Sequence, residues 1–441
     1  MTLTRAGKCL GIVPLLMLLL WLRLHGVSDY PYGDTYTFSA RTAIATFDEE
    51  LSVDHFLQIS NGHRLLFSRL VTAFLTITTQ WDTRLEVVLN VVMAVVNVWL
   101  IVRLIRHFAP SVVPLAWFPV GLFLLSVDQM INWISGVQNL WHFTLMCLLI
   151  CLHLLLGENR RGWRMLLVAG ICAFATFSAG NGMMLWVCMG IAMLILRYDR
   201  WTIGVLAMIG IVAIMGYLTD SGIGLGTSKE LAEYGQISPP QFINIIKAML
   251  IFIGRPVAEN ADIAQLTGLL GIGLLLWAVI LPNSQKEAQR GVWLLATIAV
   301  YTLLSAVQIA ITRVHHFDVT VAIAERYLAI SLPFWAMLCA IWLIRLDIHR
   351  RYAKTIIPFI VVLAICTVHL VALLYQAGRT DWDVPVNHVM LEGECIRRYP
   401  VTYSGICGMW IVPDATLTEQ LMERRLSGFA RNEFWTVEKD E

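Results

Sequence analysis

Long apolar runs recur along most of this chain, and they constrain its fold more than any motif does. They cover residues 9–24, 87–105, 113–130, 141–156, 165–178, 183–196, 203–218, 263–281, 292–311, 327–346 and 356–375. At ~20 residues per membrane crossing, they read as about eleven transmembrane helices of an all-α polytopic membrane protein. Two weaker stretches, 65–79 and 242–253, are interrupted or flanked by Arg69, Lys247 and Arg255. Composition agrees: 58% of residues are hydrophobic and 14% charged, where soluble domains carry about 25% charge. A soluble enzyme, a nucleic-acid binder and a disordered scaffold are excluded. The net charge of +1 adds nothing.

Lys and Arg favour cytoplasmic connections, which sets an expected orientation. With the N-terminus (Arg5, Lys8) inside, the inner connections carry Arg103 and Arg106; Arg160, Arg161 and Arg164; Arg197 and Arg200; Lys286 and Arg290; and Arg345, Arg350, Arg351 and Lys354. The opposite connections are nearly bare of positive charge. The pattern holds only if 65–79 and 242–253 do not cross, so both read as interfacial or re-entrant helices. The expected layout is a transmembrane region over 1–375 with outer loops at 25–85 and 219–258, then an outer tail over 376–441. The first run ends at Trp21-Leu22-Arg23 without a small-residue cleavage site, which reads as an uncleaved anchor.

Chemistry is expected outside, because the inner connections are short. The first outer loop holds Asp29, Asp34, Asp48, Glu49, Glu50 and Asp54, then His63, Arg64 and Arg69. Asp34 lies among Tyr30, Tyr32, Tyr36 and Phe38; partial burial there would raise its pKa toward that of a base. A carboxylate with His and Arg near a lipid surface suits transfer from a lipid-phosphate donor to a hydroxyl. The carboxylate takes the acceptor proton, and Arg holds the departing phosphate. Asp34 is the first choice of base, with Asp29 and Asp54 as alternatives.

Polar residues also gather at the outer span ends: Asp128, Gln129, Asn132, Gln138, Asn139, His142, Asn181, Arg313, Glu325, Arg326 and Tyr327. Such groups are costly in lipid unless they pair or line a cavity. Arg326, at the cation-poor face, reads as a phosphate ligand. His315 and His316 are adjacent and project apart, a weak metal signal. Gly222-Ile-Gly-Leu-Gly226 lacks the following Lys-Ser/Thr of a phosphate loop and reads as a flexible loop. Most cysteines fall in spans. Cys395 and Cys407 lie in the tail, where an oxidising compartment would permit a disulfide stabilising by ~3 kcal/mol.

Several short stretches carry a resemblance. They are Asp34 with Asn61-Gly-His-Arg64 and Phe67-Ser-Arg-Leu70, then Trp81-Asp-Thr-Arg-Leu-Glu86, and Trp133 with Gln138-Asn-Leu-Trp141. Ser178-Ala-Gly-Asn-Gly182, Arg313 with Glu325-Arg-Tyr327, and Trp410-Ile-Val-Pro-Asp414 complete the set. Together they resemble a group of bacterial polytopic proteins whose layout is similar to the GT-C superfamily of membrane glycosyltransferases. Gly62 and Ser68 stand where that group has Glu and Pro, so no carboxylate flanks His63. The resemblance implies a bacterial inner-membrane protein with a periplasmic tail, a polyprenyl-phosphate-linked sugar as donor and an envelope glycan such as O-antigen as acceptor. It further implies Asp34 as the acid-base residue, with His63, Arg64, Gln138, Asn139, Arg326 and Tyr327 binding phosphate or sugar. A divalent cation is compatible but not demanded, and no nucleic acid is expected. The rival readings are an outer-leaflet glycan polymerase or ligase, and a lipid-linked sugar flippase or transporter. The latter would need charges and broken helices at mid-membrane, which the spans lack.

Overall fold

The computed structural model describes residues 3–25, 31, 35–60, 63–157, 162–218, 239–281, 285–314, 319–348, 353–377, 417, 420–421 and 423–427. Helices dominate the described residues: α1 (Leu3–His25), α2 (Ala40–Phe47), α3 (Val53–Leu57), α4 (Leu66–Thr79), α5 (Thr83–Phe108), α6 (Val113–Leu124), α7 (Met130–Ile134) and α8 (Asn139–Leu156). They continue with α9 (Gly162–Ser178), α10 (Met184–Ile195), α11 (Arg200–Leu218), α12 (Pro239–Gly254), α13 (Ala261–Ile280), α14 (Lys286–Val314), α15 (Leu328–Ile348) and α16 (Ala353–Ala377). A short antiparallel pair, Ile59–Ser60 with His63–Arg64, lies in the first loop just before α4, an addition to the all-helical expectation.

Among the described residues seven helices are long and apolar enough to cross a membrane: Thr83–Phe108, Pro110–Ile134, Gly136–Leu156, Arg200–Leu218, Ala261–Ile280, Lys286–Arg313 and Glu325–Asp347. The protein is therefore a helical membrane protein. Six shorter apolar helices accompany them.

The bundle is built around α15, whose apolar window is wholly buried, while only 17% of the window in α11 is. α15 packs against α6, α14 and α16. Its Arg345 guanidinium is fully buried and donates to the Ala278 carbonyl of α13 at 2.9 and 2.5 Å. A sequence reading takes Arg345 as an orientation signal, whereas here it ties two helices together. Small residues bring other helices close, as in membrane packing generally. A Cβ on Gly11 of α1 would lie 2.6 Å from Trp117 Cβ of α6. α12 runs antiparallel along α13: added Cβ atoms at Gly254 and Gly268 would meet the Ala264 and Leu250 carbonyls at 1.8 and 2.0 Å. α12 thus packs into the bundle as one arm of a hairpin.

The segment containing Leu125 and Ser126 breaks the 113–130 run. Beyond it the chain makes a 3-10 turn (Val127–Gln129), α7 and a second turn (Gly136–Gln138) before α8. These turns, the start of α5 and residues 319–327 meet at one end of the bundle, called here the loop end. The opposite end carries Arg103 and Arg106 at the end of α5 and Arg164 at the start of α9, and is called the basic end.

α4 lies across the loop end with inverted polarity. Arg69, Thr72, Ala73 and Thr76 are buried, while Leu70, Phe74 and Ile77 are exposed. Those three share one helical face. Apolar groups outward and polar groups inward suit a helix lying against lipid and capping the polar ends of α5 and α8. Phe67 stacks on Phe143 of α8 at 3.8 Å. A short tail segment returns to this same end: Ser427 N donates to Gln80 O at 2.8 Å, and Arg424 pairs with Asp48 at 2.8 Å. The tail and the first loop therefore share one end.

Candidate functional site

At the loop end, two polar clusters form within the apolar bundle, and α7 joins them. The first centres on Glu86 in the first turn of α5, which Asp82 caps by accepting from Arg84 N. Glu86 is 1% exposed. Its Oε1 accepts from Trp81 Nε1 at 3.1 Å and from Thr72 Oγ1 at 3.3 Å, while Oε2 has no hydrogen-bond partner. A Cβ on Gly136 would fall 1.5 Å from that oxygen, so only glycine fits opposite it. One helical turn further, Asn90 Nδ2 donates to the carbonyls of Asn132 (3.0 Å) and Trp133 (3.2 Å). It thereby holds the broken segment on α5.

The second cluster is an ion pair between Asp128 and Arg255 at 3.2 Å, with both side chains 6% exposed. Arg255 Nε also donates to Ile323 O at 3.0 Å, and Nη2 reaches the exposed Glu259 at 3.5 Å. Asn132 Nδ2 donates to Glu325 O at 3.2 Å, linking this cluster to the first. Nearby, His369 of α16 is bonded to Pro256 O at 2.6 Å and stacked on Phe123.

The expected site residues fall around these clusters in different ways. Thr35 Oγ1 is 2.8 Å from Ser135 Oγ and accepts from Val137 N at 3.1 Å. Its neighbour Asp34 lies outside the described residues, as do Asp29, Cys395 and Cys407. His63 belongs to the short strand pair, and its side chain is outside the description. Arg64 is 2% exposed. Its guanidinium donates to Leu57 O and, at 3.3 Å, to Tyr217 O, and it lies 5.8 and 5.7 Å from the rings of Phe177 and Tyr217. Arg69 similarly donates to His55 O, Phe56 O and Gln58 O at 2.7, 3.1 and 2.6 Å. Burial, helped by the charge of Arg64, pushes its pKa down to about 10. Arg64 ties the first loop to α11, and Arg69 ties the 55–58 segment to α4.

Gln138 Oε1 accepts from Trp141 Nε1. Asn139 Oδ1 accepts from Ser68 Oγ at 2.6 Å, leaving its Nδ2 without a partner. Arg326 is half-buried with its guanidinium 5.1 Å from the Tyr327 ring, and the Tyr327 hydroxyl is buried without a partner. The 138–139 and 325–327 turns thus lie on either side of α7.

Sequence reasoning passed over Glu86 as a site, although it stands within the resemblance motif. It also passed over Tyr301, which bonds Thr144 at 2.9 Å and Asn181 at 2.6 Å. A single Tyr inside a 28-residue apolar helix gives no local signal.

Buried polar atoms in proteins are almost always hydrogen-bonded, and exceptions call for water, an ion or a ligand. At the loop end Glu86 Oε2, Asn90 Oδ1, Asn132 Oδ1, Asn139 Nδ2, His142 Nε2 and Tyr327 Oη all lack partners among the described residues. They span both clusters, and they provide a mix of acceptors and donors suited to a hydroxyl-rich ligand. No group of three His, Cys, Asp or Glu able to hold a metal occurs among the described residues. No family model, characterised protein or solved structure matches the chain.

Proposed function

We propose that the protein is a GT-C-like membrane glycosyltransferase of the bacterial inner membrane. It moves a hexosyl or pentosyl group from a polyprenyl-phosphate donor to an envelope glycan at its periplasmic, loop-end face. The observation that carries this reading is the concentration of unpartnered buried polar atoms at that one end. A sugar offers alternating donors and acceptors that match such a set.

In this reading four shorter apolar helices also cross: Gly11–Arg23, Gly162–Ser178, Gly180–Ile195 and Ile360–Val371. Together with the seven long ones they give about eleven spans, while α4 and α12 do not cross. The Lys and Arg bias then places the N-terminus in the cytoplasm and the tail in the periplasm.

Asp34 acts as general base and removes the proton from the acceptor hydroxyl. The acceptor oxygen attacks the anomeric carbon, and the bond from that carbon to the phosphate oxygen breaks. Arg326 holds the departing phosphate. Gln138, Asn139, Tyr327 and His63 orient the sugar. Arg64 is engaged with backbone carbonyls and contributes by positioning the first loop.

The test uses membranes containing the protein, supplied with radiolabelled polyprenyl-phosphate hexose. Label should enter envelope polysaccharide, and Asp34→Ala and Arg326→Ala should each lower transfer at least 100-fold. Unchanged transfer in both variants would overturn the site. Movement of labelled lipid between leaflets without transfer would overturn the reaction class.

A further inference from the structure

The basic end holds a cleft of about 980 Å³ between the α5–α6 junction and the end of α8. Arg103, Arg106 and His107 line it together with His153 and Gly157, and no carboxylate lines it among the described residues. Arg103 and Arg106 are exposed and half of the lining is apolar, including Val102, Pro114 and Leu156. Trp99 packs against Arg103, with the guanidinium 5.2 Å from its ring centroid. Both Trp99 and the adjoining Leu115 are 47% exposed on the outer surface of the bundle.

A second observation comes from behind the lining. A Cβ on Gly157 would fall 1.5 Å from Arg164 Nη1, so this guanidinium sits directly behind the cleft lining. Its Nε and Nη1 are buried and have no hydrogen-bond partner among the described residues; the Trp163 ring lies 5.6 Å from the guanidinium. A row of cations at this end can orient a membrane protein by count alone. Two exposed arginines on one walled cleft, with a third guanidinium packed behind Gly157, go beyond that requirement.

We propose that this cleft binds the phosphate of an anionic phospholipid from the adjacent leaflet. Arg103 and Arg106 hold the phosphate oxygens. Arg164 adds positive field from behind Gly157. The acyl chains leave past Trp99 and Leu115. The occupant is a lipid and not a soluble phosphate because the cleft combines cations with an apolar wall and opens onto the exposed apolar surface. A polar anion alone would leave that wall wet. Basic pockets between transmembrane helices near the membrane surface recognise lipid headgroups in this way.

The test is native mass spectrometry of the purified full-length protein, titrated separately with dioctanoyl phosphatidylglycerol and dioctanoyl phosphatidylcholine. The wild type should bind phosphatidylglycerol at least tenfold more tightly. Arg103→Ala/Arg106→Ala should lose that preference, and Arg103→Lys/Arg106→Lys should recover most of it. Both arginines are exposed, so the substitutions leave the core intact, and unchanged thermal unfolding confirms this. If the double alanine variant did not fold, the preference of the wild type would still decide. Equal binding of the two lipids by the wild type overturns the proposal. So does an undiminished preference in the alanine variant, or displacement of the lipid by equimolar inorganic phosphate.

Discussion

The two ends of the bundle use positive charge in opposite ways. At the loop end Arg64, Arg69 and Arg255 are buried, and their guanidiniums serve backbone carbonyls and, for Arg255, the carboxylates of Asp128 and Glu259. At the basic end Arg103 and Arg106 are exposed and line an open cleft. Arg345 is the exception, fully buried against Ala278 O. A sequence counts charges by side but does not say which are structural. A ligand at the loop end therefore meets the Glu86 carboxyl, neutral polar atoms and Arg326, while one at the basic end meets the exposed guanidiniums of Arg103 and Arg106.

The largest effect expected from breaking this contrast is at the buried ion pair. Arg255→Ala leaves Asp128 in an apolar setting without its partner, which should destabilise the fold by about 3–5 kcal/mol. Thermal unfolding should show that Asp128→Ala/Arg255→Ala is more stable than Arg255→Ala. Equal unfolding temperatures would mean that the pair is not a unit. Arg103→Ala, made at the other end, should change stability by less than about 0.5 kcal/mol.

Next in size is Gly136→Ala. The added methyl meets Glu86 Oε2 at 1.5 Å, and overpacking of this kind costs about 1–3 kcal/mol. Combining it with Glu86→Ala should remove most of that cost. Additive losses in denaturant unfolding would show that the two residues do not collide.

Smaller still is the acid dependence of the first loop. Burial, assisted by the charge of Arg69, lowers the His55 pKa below its usual 6.5. The unfolded chain then binds more protons between the lowered value and 6.5, so stability should fall as pH drops through that window. His55→Gln should flatten this limb of the curve and can still bond Thr42, whose Oγ1 lies 3.1 Å from His55 Nε2. A limb that persists in His55→Gln would assign the titration elsewhere.

The least effect belongs to the link between tail and loop. Hydrogen bonding to Arg424 lowers the pKa of Asp48. The associated stabilisation is present above the usual carboxylate value of 3.8 and is lost as pH falls through the lowered one. The pair is partly exposed, so Arg424→Ala should cost no more than about 1 kcal/mol. Urea unfolding at pH 7 and at pH 3 should show the difference shrinking in acid.

Periodicity made the spans legible, because a run such as 87–105 can satisfy its backbone in lipid only as a helix. The charge pattern also singled out α4 and α12 as unlike the other apolar stretches, and α4 has the outward apolar face of an interfacial helix. The site was legible only in part. Asn132, Gln138 and Asn139 stood out as polar residues inside apolar sequence. Glu86 did not, because it looks like an ordinary acidic residue in a first helical turn. Its burial depends on Trp81, Thr72 and Gly136, the last fifty residues away. The partnership of Asp128 with Arg255 spans 127 positions and leaves no local trace. Arg64 read as a ligand because its type and position fit a phosphate; its carbonyl partners are a product of tertiary packing.

The most direct test of the central claim is sidedness. The protein is reconstituted into sealed vesicles with the polyprenyl-phosphate-linked sugar in both leaflets, and a membrane-impermeant glycan acceptor is added outside. Labelled glycan should form in proportion to the fraction of molecules whose loop end faces out, as measured by protease access to the tail. Product formed in proportion to molecules with the basic end outward would contradict the account.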